Sequence, residues 1–228
     1  MVGNSPQIAL DNGLLIDGSG NLSYHPSDVV DMFGVGLETP YRRELGQSTT
    51  IYRTCENVRH MAAAGCEPVR VLIDRCRYWG IEFLYDVRMN DMHENAPICA
   101  WNRTPFKVAH PELLLGEAGC GVGWVPKDAA EQINWAFDFA HQRVRDLRLA
   151  QFEEVIEKYD IDGLSLDFMR GPVYFLPGQA EKNLDKMTDL IRRTRTALNK
   201  KADRIGRPLC LLVRVPPYLG GCRQIGLD

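Results

Sequence analysis

The sequence has no apolar run approaching the ~18 residues that a membrane-spanning helix requires. An excess of one charge sign is also missing. The 27 basic and 30 acidic residues leave a formal net charge of −3, which offers no electrostatic footprint for nucleic acid or an anionic membrane. Residues 1–12 are polar and lack the basic start and apolar core of a signal peptide. A processed secreted chain looks the same, so the compartment stays open. No two of the seven cysteines stand in a C-x-x-C pair. That spacing and the odd count point to reduced, mostly buried thiols rather than a disulfide framework or a structural zinc site. No Gly/Ser linker or charged run divides the chain.

What is present is ordinary for a globular domain: 228 residues, 45% of them hydrophobic and 25% charged. Residues 1–27 carry much Gly, Asn, Ser and Pro and read as an N-terminal arm or coil; residues 28–228 read as the domain. Alternation of apolar with small or polar residues predicts five strands, over 31–38, 81–90, 133–140, 163–168 and 209–215. Helical spacing predicts helices over 55–64, 68–79, 144–158 and 180–202. Between strands two and three, residues 91–132 lack clear periodicity, as binding loops often do.

Strands alternating with helices predict a parallel sheet with right-handed crossovers. In each strand, bulky apolar residues share one face while smaller ones, ending in a charge, share the other. An open sheet buried by helices on both faces should not tolerate Glu82, Asp86, Arg88, Asp138 and Asp167 on one of them. The expectation is therefore an α/β fold of the (β/α)8 TIM-barrel type. A full barrel takes about 250 residues and eight strands, so the chain reads as an incomplete one, its first five β/α units.

The stretch Tyr159-Asp160-Ile161-Asp162-Gly163-Leu164-Ser165-Leu166-Asp167-Phe168-Met169-Arg170 carries the strongest functional signal. Leu164, Leu166 and Phe168 fall on one face and Gly163, Ser165 and Asp167 on the other. Asp167 stands at the C-terminal end, where barrels place their chemistry. Asp162, at the opposite end, reads as a turn or capping residue. Arg88, Asn90, Asp91 and His93 cluster after the second strand, and Arg214 closes the fifth.

Together, Arg88-Met89-Asn90-Asp91-Met92-His93, the stretch from Tyr159 to Arg170, Val213-Arg214-Val215-Pro216 and Gly226-Leu227-Asp228 resemble an uncharacterised bacterial family of glycosyl-hydrolase-like (β/α)8-barrel proteins. The resemblance covers roughly residues 54–228. It implies a carbohydrate substrate and hydrolysis of a glycosidic bond, without specifying the sugar. Asp86 departs from it, standing where the family tends to carry a small residue.

Glycoside hydrolysis generally needs two carboxyl groups. Asp167 is the candidate catalytic residue, with Arg88, Arg170 and Arg214 as plausible neighbours. Glu38, Asp91 and Asp138 each end a polar face, and none stands out as its partner. Arg88, Asn90, Asp91, His93, Arg170 and Arg214 are candidate substrate ligands, because Asn and Arg suit multidentate recognition of hydroxyls; a self-satisfied polar network is the alternative reading of the first four. Trp101, Trp124, Tyr174 and Phe175 could stack on sugars or anchor their loops. No cofactor or metal is expected. Two alternatives remain: a carbohydrate-binding barrel without catalysis, and a metal-dependent hydrolase built on Asp91, His93 and Asp167.

Overall fold

Three of the alternating stretches form strands and pair in parallel, in chain order. The computed structural model of the protein describes residues 2–3, 23–32, 49–92, 104–116 and 134–228. Strand β1 is the two-residue segment Val2–Gly3; β2 is Leu84–Arg88, β3 Gly163–Asp167 and β4 Cys210–Arg214. The sheet order is β1-β2-β3-β4. Among the described residues six α-helices accompany it: α1 (Thr49–Ala63), α2 (Pro68–Tyr78), α3 (Pro105–Ala109), α4 (Gln142–Lys158), α5 (Leu184–Ile205) and α6 (Leu219–Gln224). Among the described residues, no helix is long and apolar enough to cross a membrane.

Strand parity assigns the two faces. Tyr85 and Val87 lie beside Leu164 and Leu166, which lie beside Leu211 and Val213. These side chains join one hydrophobic core with Val144, Phe152, Val155 and Ile156 of α4 and Met187, Leu190 and Leu198 of α5. The opposite face carries Leu84, Asp86 and Arg88, then Gly163, Ser165 and Asp167, then Cys210, Leu212 and Arg214. It contributes nothing to that core.

The expected barrel of five units is not what the chain forms. It makes one small α/β sheet of three full strands with a two-residue edge, and the sheet does not close into a (β/α)8 barrel. The predicted first strand falls largely outside the described residues; Met32, at its start, makes one bridge to Ser23. The predicted third strand, 133–140, is a set of turns through its described part, touching Leu114 by a single antiparallel bridge at Phe137. Its backbone is bonded to 113–116, where the Asp138 N–H donates to the Leu113 carbonyl and the Ala136 and Asn134 carbonyls accept from Leu115 and Gly116, and to two further parts of the chain. The Asn90 amide takes both the N–H and the C=O of Phe137, at 2.9 Å each. The Phe139 N–H reaches the carbonyl of Tyr174. Ala136, Phe137, Asp138 and Phe139 are all buried, so the alternation that reads as a strand belongs to a loop packed from both sides. Asp138 accordingly leaves the sheet, accepting from the backbone N–H of Ala140 just before α4. Of the other charges that argued for a barrel lumen, Arg88 pairs with Asp91 and Asp167 with Arg214.

Asp162 ties the N-terminal ends of the strands together. Its carboxyl accepts from the backbone N–H of Phe83 at 2.7 Å and from Arg207 at 2.7 Å. Gly163 follows because no side chain fits: a Cβ there would lie 2.2 Å from the carbonyl oxygen of Cys210 on the paired strand. Gly163→Ala is expected to cost roughly 1–3 kcal/mol, as overpacked sites do. Gly220→Ala, whose Cβ meets only Tyr218 at 3.6 Å, should stay close to wild type. Urea denaturation of the two variants checks this; equal midpoints would contradict the β3–β4 register.

The segment 23–32 is docked onto α4, with bonds running across the expected boundary at residue 27. Glu154 is the buckle, accepting from the Ser27 hydroxyl at 2.6 Å and the Asp28 backbone N–H at 2.7 Å. His25 is buried, with its ring edge against Tyr85 and Tyr159 and its Nε2 3.4 Å from Glu154. Burial lowers the pKa of His25, outweighing the attraction of Glu154. The unfolded chain therefore binds the extra proton, so the contribution is complete above the ordinary histidine range near ~6.5 and is lost as pH falls below it. Burial acts to raise the Glu154 pKa, but the bonds from Ser27, Asp28 and His25 override it and the net shift is downward. That adds a second loss as pH falls through the carboxylate range. Thermal unfolding of His25→Gln is expected to lack the first of these losses and keep the second. A pH profile identical to wild type would refute this role for His25.

Candidate functional site

At the C-terminal ends of the three strands, register places Arg88 beside Asp167 and Asp167 beside Arg214. One step earlier, Asp86 lies beside Ser165. Because residues two apart share a face, these five side chains project from one surface of the sheet.

Asp167 is held from three directions. One carboxyl oxygen accepts from the backbone N–H groups of Met169 and Arg170, at 2.8 and 3.2 Å; the other accepts from Arg214 Nη1 at 3.0 Å. The Asp167 side chain keeps 10% of its surface exposed, that of Arg214 66%. Arg214 therefore presents most of its guanidinium to solvent while Asp167 fixes one corner.

Asp86 sits one residue pair deeper and accepts from the Ser165 hydroxyl at 2.6 Å. Its pKa is raised, first by burial and further by the negative charge of Asp167; the Ser165 hydrogen bond and the Arg88 charge oppose the rise without cancelling it. Two carboxyl groups on one face thus differ in kind. The Asp86 carboxyl, its pKa raised, accepts from the Ser165 hydroxyl, whereas the Asp167 carboxyl accepts from two backbone N–H groups and the Arg214 guanidinium.

Arg88 does not reach Asp167 through an ion pair. Its Nη1 donates to Asp91 at 2.7 Å, and both side chains are nearly sealed from solvent. Asn90 is wholly buried, its amide bonded to Phe137 and to the carbonyl of Val173 at 2.5 Å. These residues make a polar platform beneath the exposed end of the sheet. Arg170 is exposed and meets Asp167 through its backbone. Tyr174 and Phe175 are buried and anchor their loop, the Tyr174 hydroxyl donating to the carbonyl of Phe168. His93, Trp101, Trp124 and Glu38 lie outside the described residues. Among the described residues, no group of three or more His, Cys, Asp and Glu side chains gathers to hold a metal ion, and Asp91 is engaged by Arg88.

Asp86 and Ser165 are the members that sequence reasoning passed over. Their signal was nonetheless there. Asp86 precedes Arg88 by two residues, as Ser165 precedes Asp167 by two, so pairing Arg88 with Asp167 brings the other two together. No family model matches the chain, and no curated protein matches it either. The glycosidase resemblance therefore rests on the motif residues alone.

Proposed function

We propose that the protein hydrolyses a glycosidic bond, with Asp86 donating the proton to the leaving oxygen and Asp167 serving as the second carboxyl. The observation that carries this reading is the pairing of a carboxyl with a raised pKa, Asp86, with a donor-stabilised one, Asp167, on one sheet face. A carboxyl whose pKa is raised suits the acid role in such a pair. Arg214 and Arg170, both exposed, are the groups expected to meet sugar hydroxyls; Arg88, Asn90 and Asp91 are buried and engaged within the protein.

Spacing adds an expectation about stereochemistry. Paired strands ~4.8 Å apart with a rise of ~3.3 Å per residue set the two Cα atoms roughly 8 Å apart. Parallel side chains keep that separation near the range of about 6.5–9.5 Å used by inverting enzymes. The test is proton NMR of the product anomer, with aryl glycosides and oligosaccharide mixtures as substrates. Release of the inverted anomer supports the assignment, and the retained anomer contradicts the spacing.

A second reading is recognition without cleavage. What favours it is the low exposure of Asp167 and its full set of donors, under which it would serve to aim Arg214. Calorimetric sugar binding with no reducing end released would select it.

A further inference from the structure

The sheet ends on β4, which among the described residues pairs on one side only. Two bonds fix which way its backbone points: the Cys210 N–H donates to the carbonyl of Asp162, and the Arg214 carbonyl accepts from the N–H of Phe168. Along a strand the N–H and C=O of one residue point to the same side, and those of the next residue point to the other. Cys210, Leu212 and Arg214 therefore face β3, while Leu211 and Val213 turn theirs to the open edge. The Leu209 carbonyl, next along that edge, already accepts from Arg195 Nη2 at 2.9 Å. Residues 211–213 hold neither a charge nor a proline, the devices that usually blunt an edge strand.

We propose that this edge is the contact between two copies of the chain, joined antiparallel across a two-fold axis at Leu212. A row of outward N–H and C=O groups is matched by a second strand, which sets the kind of occupant. Its symmetry selects the chain's own copy. Leu211 and Val213 flank Leu212 evenly, so Leu211 of one copy lies opposite Val213 of the other and the pair exchanges both bonds. The axis repeats the exchange, which uses every outward group of these two residues in both copies. Leu212 meets its own counterpart at the axis, and it is a large apolar side chain left 38% exposed by the single chain. Such an isologous contact closes at two copies instead of growing into a filament. The opposite edge, β1, is two residues long and offers no comparable row.

The surroundings suit the same arrangement. Antiparallel register about Leu212 carries Val215 and Tyr218 of one copy alongside Leu209 and Gly206 of the other. Val215 and Tyr218 are exposed apolar residues, at 40% and 61%. Gly206 and Leu209 line an open groove of about 830 Å³ together with Arg195, Asn199 and Asp203 of α5. An apolar ridge therefore faces a groove, once on each side of the axis. On the helix side, Leu211 and Val213 are packed against the core and continue it into the partner. On the other face, Arg214 falls opposite Cys210 of the second copy, so no like charges meet across the strands. The paired strands have only five residues each, and so short a contact makes the dimer dependent on concentration.

Sedimentation velocity at rising protein concentration, into the high micromolar range, is expected to show a monomer passing to a dimer and stopping there. Leu212→Lys sets like charges against each other at the axis and should weaken association by roughly tenfold or more. Leu212 lies outside the core, and circular dichroism checks that this variant keeps its fold. Ile81→Lys, at an exposed residue beside the N-terminal end of β2, should associate like wild type. Amide hydrogen exchange of the unaltered protein gives an independent reading. The Leu211 and Val213 N–H groups should be protected at high concentration and exchange quickly on dilution, while that of Leu212, directed at β3, stays protected throughout. A chain that is monomeric over the whole range, or assembly beyond two copies, would overturn the proposal. So would undiminished association of folded Leu212→Lys, or an equal loss in Ile81→Lys. Protection of both edge amides at every dilution would also overturn it, by showing the edge covered within a single chain.

Discussion

Asp86→Asn is expected to lower glycoside turnover by about 10²–10⁴-fold, the range for removing a general acid, while making the fold more stable at neutral pH. The two effects share one cause. Burial and the Asp167 charge raise the Asp86 pKa, so the folded protein holds that proton more tightly than the unfolded chain. Stability conferred by the group is then greatest below the ordinary aspartate range, falls as pH rises through its folded pKa, and stays low above it. Asparagine mimics the protonated carboxyl and can still accept the Ser165 hydroxyl, so it escapes that loss. Asp167→Asn is expected to abolish activity to a similar degree. It should not stabilise, because it weakens acceptance from Arg214 and from two backbone N–H groups. Initial rates together with urea midpoints at pH 7 and near pH 3 check both. Full turnover by Asp86→Asn, or a stability gain as large at pH 3 as at pH 7, would remove Asp86 from the acid role.

The largest structural effect is expected at Asn90. Its side chain satisfies the N–H and C=O of Phe137 and the C=O of Val173, all in the interior. Alanine would leave these three groups without their partner. At about 1–3 kcal/mol for each of three unsatisfied buried groups, the loss is on the order of 3–9 kcal/mol against a typical total of ~5–15 kcal/mol. Water entering the gap sets the lower end. Asn90→Asp offers little rescue, since a carboxylate would face two carbonyl oxygens. Chemical denaturation of Asn90→Ala should therefore show a much lower midpoint, and any loss of sugar binding should track that instability. A variant within ~1 kcal/mol of wild type would show that the 134–140 loop is held by other means.

The difference between Asn90 and Asp167 shows what was legible in the sequence and what was not. Parity along each strand is a local property, so the two faces of β2, β3 and β4 could be read from residues 81–90, 163–168 and 209–215. Helical spacing likewise marked α2, α4 and α5. The α5 boundary slipped because residues 181–183 form a single 3-10 turn before the α-helix begins at Leu184. Closure of the sheet was misjudged for a different reason. Alternation reports burial, and Trp135, Phe137 and Phe139 alternate inside a loop whose backbone is bonded to residues 113–116, to Tyr174 and, at Phe137, to the Asn90 side chain. Nothing in residues 133–140 reveals that Asn90 supplies the bonds at Phe137. The Asp86–Ser165 contact was hidden in the same way, since it depends on the register between strands almost eighty residues apart. Asp86 was visible on the polar face, but its raised pKa needs the neighbours that only the pairing provides.

The most direct measurement is carbon-13 NMR titration of the Asp86 carboxyl in the wild-type protein and in Asp167→Asn. Asp86 is expected to titrate above the ordinary aspartate range, and its midpoint should drop when the Asp167 charge is removed. A normal midpoint, or one unmoved by Asp167→Asn, would contradict the coupling of the two carboxyls on which the proposed chemistry stands.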